Sequence, residues 1–209
     1  MIRILVADDH AIVREGIKRI LADDAEMELV AEAGDGFEAA RMARQHTPDV
    51  VLLDISMPGR SGIDALADIR NGSPGSRVLI LSMHPEDQYA IRCLRDGADG
   101  YLTKESAPEL LIDAIHKVHR GGKFISAALA ERLVLNLNTP ADRPRHEALS
   151  DRELQVLMMI GNGKTVSEIA DVLCVSVKTV STYRSRLLEK MGMDSNAQLM
   201  KYAIEKGLS

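Results

Sequence analysis

The stretch Asp49-Val50-Val51-Leu52-Leu53-Asp54-Ile55-Ser56-Met57-Pro58-Gly59 decides the fold. Its Val and Leu centre reads as a parallel strand buried on both faces, and the carboxyl end of such a strand opens onto the functional edge of an α/β sheet. Asp54 closes the run, so an ionised side chain stands there in need of a partner. A second strand, Ile2 to Ala7, ends in Asp8-Asp9. Adjacent strands lie about 4.8 Å apart, so adjacency of these two brings three carboxylates together. Like charges repel unless a cation sits among them, and hard oxygen ligands in that number, with room for waters, suit Mg²⁺.

Outward from this stretch, strand-like runs at 2–7, 27–33, 50–53, 77–82 and 100–103 alternate with helical patterns at 11–22, 36–46, 62–71, 87–96 and 107–120. Five βα units predict a doubly wound parallel sheet. Ser106-Ala-Pro-Glu109 predicts a capping box with Pro in the first turn, and Arg120-Gly121-Gly122 supplies the left-handed stop. In the flavodoxin-like order 2-1-3-4-5, strands one, three, four and five end in Asp8-Asp9, Asp54, Ser82 and Lys104.

With 209 residues the chain favours two domains, and 45% apolar content with only 3% aromatics and ten Met predicts aliphatic cores. Cys93 and Cys174 are far apart and lack metal-ligand company, which fits reduced thiols and a cytoplasmic home. No segment approaches the roughly 18 apolar residues of a membrane span, and the N-terminal apolar run is too short for a signal peptide. The net charge of −5 hides an asymmetry. Residues 1–138 carry 16 Lys+Arg against 22 Asp+Glu, and residues 139–209 carry 10 against 9.

The acid pair Asp8-Asp9, the Asp54-x-x-Met57-Pro58-Gly59 loop, Ser82, Gly97-Ala98-Asp99-Gly100-Tyr101 and Lys104, each on its element, resemble a response-regulator receiver domain over roughly residues 1–120. The resemblance implies that Asp54 accepts a phosphoryl group. It implies that Asp9, Asp54 and the Ser56 carbonyl bind Mg²⁺ directly, and that Asp8 acts largely through water. Lys104 is then an ion-pair partner of Asp54, Ser82 a donor to the phosphate, and Tyr101 an aromatic that moves with the switch. Each has a plainer reading. Asp8 and Asp9 can serve as helix-start caps, Lys104 as a solvated surface lysine, Ser82 as a strand-end hydroxyl and Tyr101 as an edge-of-core aromatic. His10 lacks a second nitrogen or sulfur donor beside it and is read as a helix-start residue whose ring brushes the pocket.

A further helix is expected over 127–137, followed by a polar linker, Asn138 to Ala148, with two prolines. Four short helices follow at about 150–161, 166–173, 177–191 and 196–206, two of them opened by capping boxes, Ser150-x-x-Glu153 and Thr165-x-x-Glu168. The second and third, parted by Cys174-Val175-Ser176, read as a helix-turn-helix. The third carries Lys178, Arg184, Arg186 and Lys190 against Glu189 alone, where an anionic polymer can dock, although most charge runs are solvated faces. Val177, Val180, Leu187, Leu188 and Met191 repeat at helical spacing and are expected in the core. Leu199, Ala203 and Ile204 of the last helix either complete the bundle or pair with a second copy.

Leu149-Ser-Asp-Arg-Glu153, Gly163-Lys-Thr-Val-Ser-Glu-Ile-Ala170, Ser176-Val-Lys-Thr-Val180 and Lys190-Met-Gly192 resemble a LuxR-type output domain. The whole chain is thus similar to NarL/FixJ-class regulators. The boundaries expected are a receiver at 1–122, a helix and linker at 123–148 and an all-α output domain at 149–209. The resemblance implies DNA contacts from Lys178, Thr179, Ser181, Thr182, Tyr183, Arg184, Ser185 and Arg186, with a small hydroxyl at 181 where the family often has lysine. It also implies a transcription regulator phosphorylated on Asp54 by a partner histidine kinase or phosphotransfer protein. A homodimer favoured by phosphorylation, duplex promoter half-sites and RNA polymerase complete the expected partners. A phosphatase-like enzyme would want an acid two residues after its nucleophile. Ser56 stands there, so slow self-hydrolysis is expected rather than turnover. With four Tyr and two Phe, the chain lacks the stacking platform of a single-stranded RNA binder.

Overall fold

The computed structural model describes residues 1–57, 62–83, 86–131 and 145–208. The chain divides into two compact units, Met1–Asn136 and Leu137–Ser209. In the first, β1 (Ile2–Ala7), β2 (Met27–Ala33), β3 (Val50–Asp54), β4 (Arg77–Ser82) and β5 (Gly100–Thr103) form one parallel sheet in the order β2-β1-β3-β4-β5. This is the flavodoxin-like order expected from the alternation of apolar strands and amphipathic helices. The helices are α1 (Ala11–Ala22), α2 (Gly36–His46), α3 (Gly62–Gly72), α4 (Glu86–Arg95) and α5 (Ala107–His119).

The pleat sorts the strand residues onto two faces. Ile2, Ile4 and Val6, Val50 and Leu52, Leu79 and Leu81, and Leu102 bury one face beneath Ile17 and Leu21 of α1 and Leu111, Ile115 and Val118 of α5. Leu5, Val51, Leu53, Ile80 and Tyr101 are equally buried on the alternate positions, where α2 packs on β1 and β2, α3 on β3 and α4 on β5. Both faces of β3, β4 and β5 are therefore dry, with their polar residues at strand ends, whereas the edge strand β2 carries Glu28 and Glu32 within its length.

The capping box expected at Ser106 does not form. Ser106 takes helical dihedrals and makes no side-chain cap; its hydroxyl lies 2.9 Å from that of Thr103 instead. The competing partner at the end of β5 wins because it is already fixed by the sheet. Gly121 does supply the left-handed stop, at φ +86°, and beyond it Phe124 bridges Gly100 in parallel fashion. Residues 127–131 are helical; the rest of the helix expected to 137 and most of the linker lie outside the described residues.

At the amino edge of the sheet, Asp99 is buried and collects cations. Arg70 approaches it at 2.8 Å, Lys123 at 3.1 Å and Arg77 at 3.4 Å, while the Val78 amide donates to it at 2.9 Å. Arg70 also donates to the carbonyls of Gly97 and Ser76, so one carboxylate fixes α3, β4, β5 and the segment after α5 together.

The second unit holds a 3₁₀ turn (Arg145–Ala148), α6 (Asp151–Gly161), α7 (Val166–Val172), α8 (Val177–Met191) and α9 (Asn196–Glu205). Both expected capping boxes are present, Ser150 with Glu153 and Thr165 with Glu168. Glu153 is also ion-paired to Lys190 of α8 at 2.7 Å. Burial alone would raise its carboxyl, but Lys190 and Ser150 overcome that and hold it below the usual range. Val180, Leu187, Met191, Leu199 and Ala203 are buried, so Leu199 and Ala203 complete the bundle, whereas Ile204 of the same helix is 59% exposed. Leu188 is only partly covered and Val177 is half exposed. Val177 sits at the first helical position after the Ser176 cap, one turn before α8 meets its neighbours.

Replacing Asp99 by Ala strands its cations and the Val78 amide. Urea denaturation of the full chain is expected to show the first unit less stable by about 3 kcal/mol.

Candidate functional site

Register delivers the charged groups to one edge. Ala7 lies opposite Leu53, Asp54 opposite Leu81, and Ser82 opposite Thr103, so Asp8, Asp54 and Lys104 leave neighbouring strand ends together. Asp8 and Asp54 are each 1% exposed. Between them lies Lys104, whose Nζ is 2.6 Å from Asp8 Oδ2 and 2.8 Å from Asp54 Oδ2. The other Asp54 oxygen accepts the Ser56 amide at 3.0 Å, and Asp8 Oδ1 accepts the His10 amide at 2.9 Å. Lys104 is further set by its own amide, which donates to the Ser82 carbonyl at 2.8 Å.

Burial pushes the Asp54 carboxyl above its ordinary range, and the Asp8 charge adds to that, against the pull of Lys104 and of the Ser56 amide. Burial pulls Lys104 the other way, toward neutrality, but the attraction of Asp54 and Asp8 prevails and its ammonium is held above the usual range. Asp54 is therefore a desolvated carboxylate in contact with one cation.

Asp9 stands at the rim, with His10 Nδ1 at 2.8 Å from its Oδ1. Carboxylate oxygens of Asp8, Asp9 and Asp54 and a ring nitrogen of His10 all lie within 4.8 Å of one another. Asp8 Oδ2 and Asp9 Oδ1 are buried, and neither receives a hydrogen bond of acceptable direction, although Lys104 and His10 stand close by. Three carboxylates against one ammonium leave two negative charges, which suits a hard divalent cation. The residues present fit Mg²⁺.

Ser82 and Tyr101 are wholly buried, Ser82 at the end of β4 on the charged edge and Tyr101 within β5. His10 caps α1 through its backbone, and its ring brushes the acid pair as expected. Two further residues at this site are not among those the motifs single out. Arg14 of α1 donates to the Asp8 carbonyl at 2.6 Å, which braces the end of β1. Gly62 opens α3 directly against the phosphoacceptor candidate: a Cβ there would come within 2.0 Å of the Asp54 carbonyl oxygen and 2.6 Å of Ile55 Cα. A glycine heading a helix shortly after the key carboxylate was the available signal.

In the second unit the turn expected at Cys174-Val175-Ser176 links α7 to α8. Cys174 adopts the left-handed conformation at φ +51°, and the Val175 amide closes onto the Ala170 carbonyl at 3.0 Å. The Ser176 side chain accepts the Thr179 amide and starts α8. Lys178, Ser181, Thr182, Ser185 and Arg186 are exposed; Thr179, Tyr183 and Arg184 are partly covered. A shallow cleft is lined by Ser176, Lys178, Thr179, Thr182, Tyr183 and Arg186. Arg184 differs from the others, because its Nε donates to Asn196 Oδ1 at the head of α9. It ties the bundle together, whereas Lys178 and Arg186 have their charges in solvent.

A charged edge of this kind on a five-stranded parallel sheet, followed by a basic helix-turn-helix, defines a DNA-binding response regulator. Residues 4–116 match the response regulator receiver domain and residues 147–203 the bacterial regulatory proteins of the luxR family. The chain is 39% identical over 210 residues to the response regulator GacA of Pseudomonas aeruginosa, covering 100% of this chain and 98% of that protein. It is 39% identical over 213 residues to the oxygen regulatory protein NreC of Staphylococcus carnosus, covering 99% and 98%. Among solved structures it is similar to RcsB, determined as two dimers bound to two parallel DNAs, with 27% identity, a TM-score of 0.59 and coverage of 97% of this chain and 98% of that one. The chain belongs to the NarL/FixJ family of response regulators, transcription regulators with a receiver domain and a LuxR-type DNA-binding domain. Among the described residues no helix is long and apolar enough to cross a membrane.

Substituting Gly62 by Ala is expected to force the chain leaving β3 away from Asp54. Urea unfolding of the full chain should then show a loss of about 3 kcal/mol, at the upper end for an overpacked site.

Proposed function

We propose that this chain is a cytoplasmic transcription regulator switched by phosphoryl transfer to Asp54 from a partner histidine kinase or phosphotransfer protein. The observation that carries the reading is Lys104 held between Asp8 and Asp54 at three strand ends. A desolvated Asp54 oxygen attacks the phosphorus of a phosphohistidine whose other ring nitrogen is protonated; the P–O bond forms as the P–N bond breaks, and the electron pair stays on nitrogen so that the imidazole leaves neutral. Lys104 stays with the aspartyl phosphate as a charge-assisted donor, and Ser82 adds a hydroxyl donor. Asp9, Asp54 and the Ser56 carbonyl would hold Mg²⁺, with Asp8 acting through water. The ion supplies neutralisation of charge on the transferring phosphoryl oxygens. With Ser56 in place of an acid beside the nucleophile, hydrolysis of the aspartyl phosphate is slow and the modified state persists.

The working division is a receiver at 1–122, a helix and linker at 123–148 and an output domain at 149–209. The added charge at Asp54 draws Ser82 toward it, Tyr101 repositions, and the change favours a homodimer that binds paired half-sites. In this reading α8 enters the major groove. Thr179, Ser181, Thr182, Tyr183 and Ser185 face base edges or sugar, and Lys178 and Arg186 face phosphates. Arg184 holds Asn196 through Nε and keeps its terminal guanidinium nitrogens for a DNA contact. RNA polymerase is the natural downstream contact. The similar protein RcsB, solved as DNA-bound dimers, supports duplex DNA and a dimer as partners.

Acetyl phosphate with Mg²⁺ should add one phosphoryl group to the full chain by intact mass, and none to Asp54→Ala. Beryllofluoride with Mg²⁺ should raise both the dimer fraction by sedimentation and the affinity for duplex DNA. If neither reagent changes dimer or affinity, and Asp54→Ala behaves as wild type, the switch is excluded.

For the phosphate contacts, Lys178→Ala and Arg186→Ala should each weaken binding nearly uniformly across sequences. Each should also flatten the slope of log K against log salt by about 1, read by titration over a range of ionic strengths.

A further inference from the structure

The exposed face of α8 is a stripe of hydroxyls. Lys178, Ser181, Thr182 and Ser185 recur at the i, i+3, i+4, i+7 spacing of one helix face, and all four are exposed. Each of the three hydroxyl protons is already committed to the helix. Ser181 Oγ donates to the Val177 carbonyl at 2.9 Å, Thr182 Oγ1 to the Lys178 carbonyl at 3.0 Å and Ser185 Oγ to the Ser181 carbonyl at 3.0 Å. A hydroxyl has one proton and two lone pairs, so what these three hydroxyls show to a partner is acceptors.

Phosphate oxygens are acceptors and gain nothing from such a surface. In the major groove guanine and thymine also present acceptors, at O6, N7 and O4, while adenine and cytosine present exocyclic amines as donors. Turning a hydroxyl round to donate would give up its carbonyl bond for the new one, so donation gains less than acceptance, which keeps both. Cationic donors stand at the amino end of the stripe, Lys178, and beside it, Arg186, where backbone contacts would lie. The division of labour along α8 thus follows from where the protons are.

On the reading above, that α8 enters the major groove, we infer that Ser181, Thr182 and Ser185 act as acceptors that select the amino bases adenine and cytosine within each half-site. Lysine at 181 would instead bring donors and select guanine, so the hydroxyl at this position changes the class of base recognised.

The test is a selection from randomised duplexes at fixed ionic strength, using the full chain with beryllofluoride and Mg²⁺. Wild type is compared with the combined variant S181A, T182V and S185A. On the selected site, adenine is then replaced by purine and cytosine by 2-pyrimidinone, analogues that lack only the exocyclic amine. Wild type should lose about five- to tenfold per analogue at the positions whose preference the variant relaxes, and the variant less than about twofold. Within the analogue arm, the wild-type loss at each adenine and cytosine of the selected site is read by itself, so that part does not depend on how the variant folds. Equal losses in both proteins, or variant-sensitive positions occupied by guanine or thymine, overturn the inference while leaving the DNA reading intact. If wild type enriches no sequence over random duplex, the DNA reading fails and this inference falls with it.

Discussion

One ammonium between two buried carboxylates is the constraint on which the receiver unit depends. Lys104 lies 2.6 Å from Asp8 and 2.8 Å from Asp54, and neither carboxylate has access to bulk water. Buried ions are tolerated only when geometry and further hydrogen bonds offset desolvation. The sheet supplies that geometry, because β1, β3 and β5 end at one level and β4, between β3 and β5, anchors the lysine backbone through Ser82. An aliphatic core covered on both faces holds those strand ends still. The opposite edge is fixed by an unlike device, Asp99 beneath three cations. The carboxylate there is over-compensated, whereas at the site two negative charges remain in excess. The first arrangement is a clamp; the second is poised to take up a cation and to gain from charge rearrangement.

Much of this was legible in the sequence, for a physical reason. A strand buried on both faces must be apolar throughout, so a charge can enter only at its end. Asp8, Asp54, Ser82 and Lys104 each mark such an end, and their convergence required only the strand order. The capping boxes at Ser150 and Thr165 were equally legible, since both partners lie within one turn. What could not be read depended on contacts across the chain. Ser106 carries the same local signature as those caps, yet its hydroxyl pairs with Thr103, which β5 holds in reach. Gly62 matters only because α3 starts against the backbone of Asp54. Val177 continues the apolar period of α8 but lies in its first turn and stays half exposed.

Arg184 shows the limit of reading by charge. Counted along the helix it is one of four cations on α8, indistinguishable from Lys178 or Arg186. In the structure its guanidinium is bound to Asn196, and Lys190 likewise is taken up by Glu153. Two of the four cations make bonds within the bundle, which leaves Lys178 and Arg186 as the two whose charges are not engaged there.

That partition bears on how the output domain must work in the proposed reading. On α8 itself Lys178 and Arg186 are the cations without a charged or amide partner, so this helix alone contributes a shallow salt dependence and weak non-specific affinity, and the chain as a whole carries a charge of −5, which repels DNA. A single copy therefore gains little residence on arbitrary sequence. Joining two copies makes the second half-site encounter intramolecular, and affinity then rises through effective concentration without any new contact. A regulator built with a strongly basic recognition helix would bind DNA as a monomer and leave a dimerising switch little to change. The sparing use of free charge on α8 and the excess of buried negative charge at Asp54 are complementary. The first makes DNA binding depend on association, and the second provides a site where one modification can alter it.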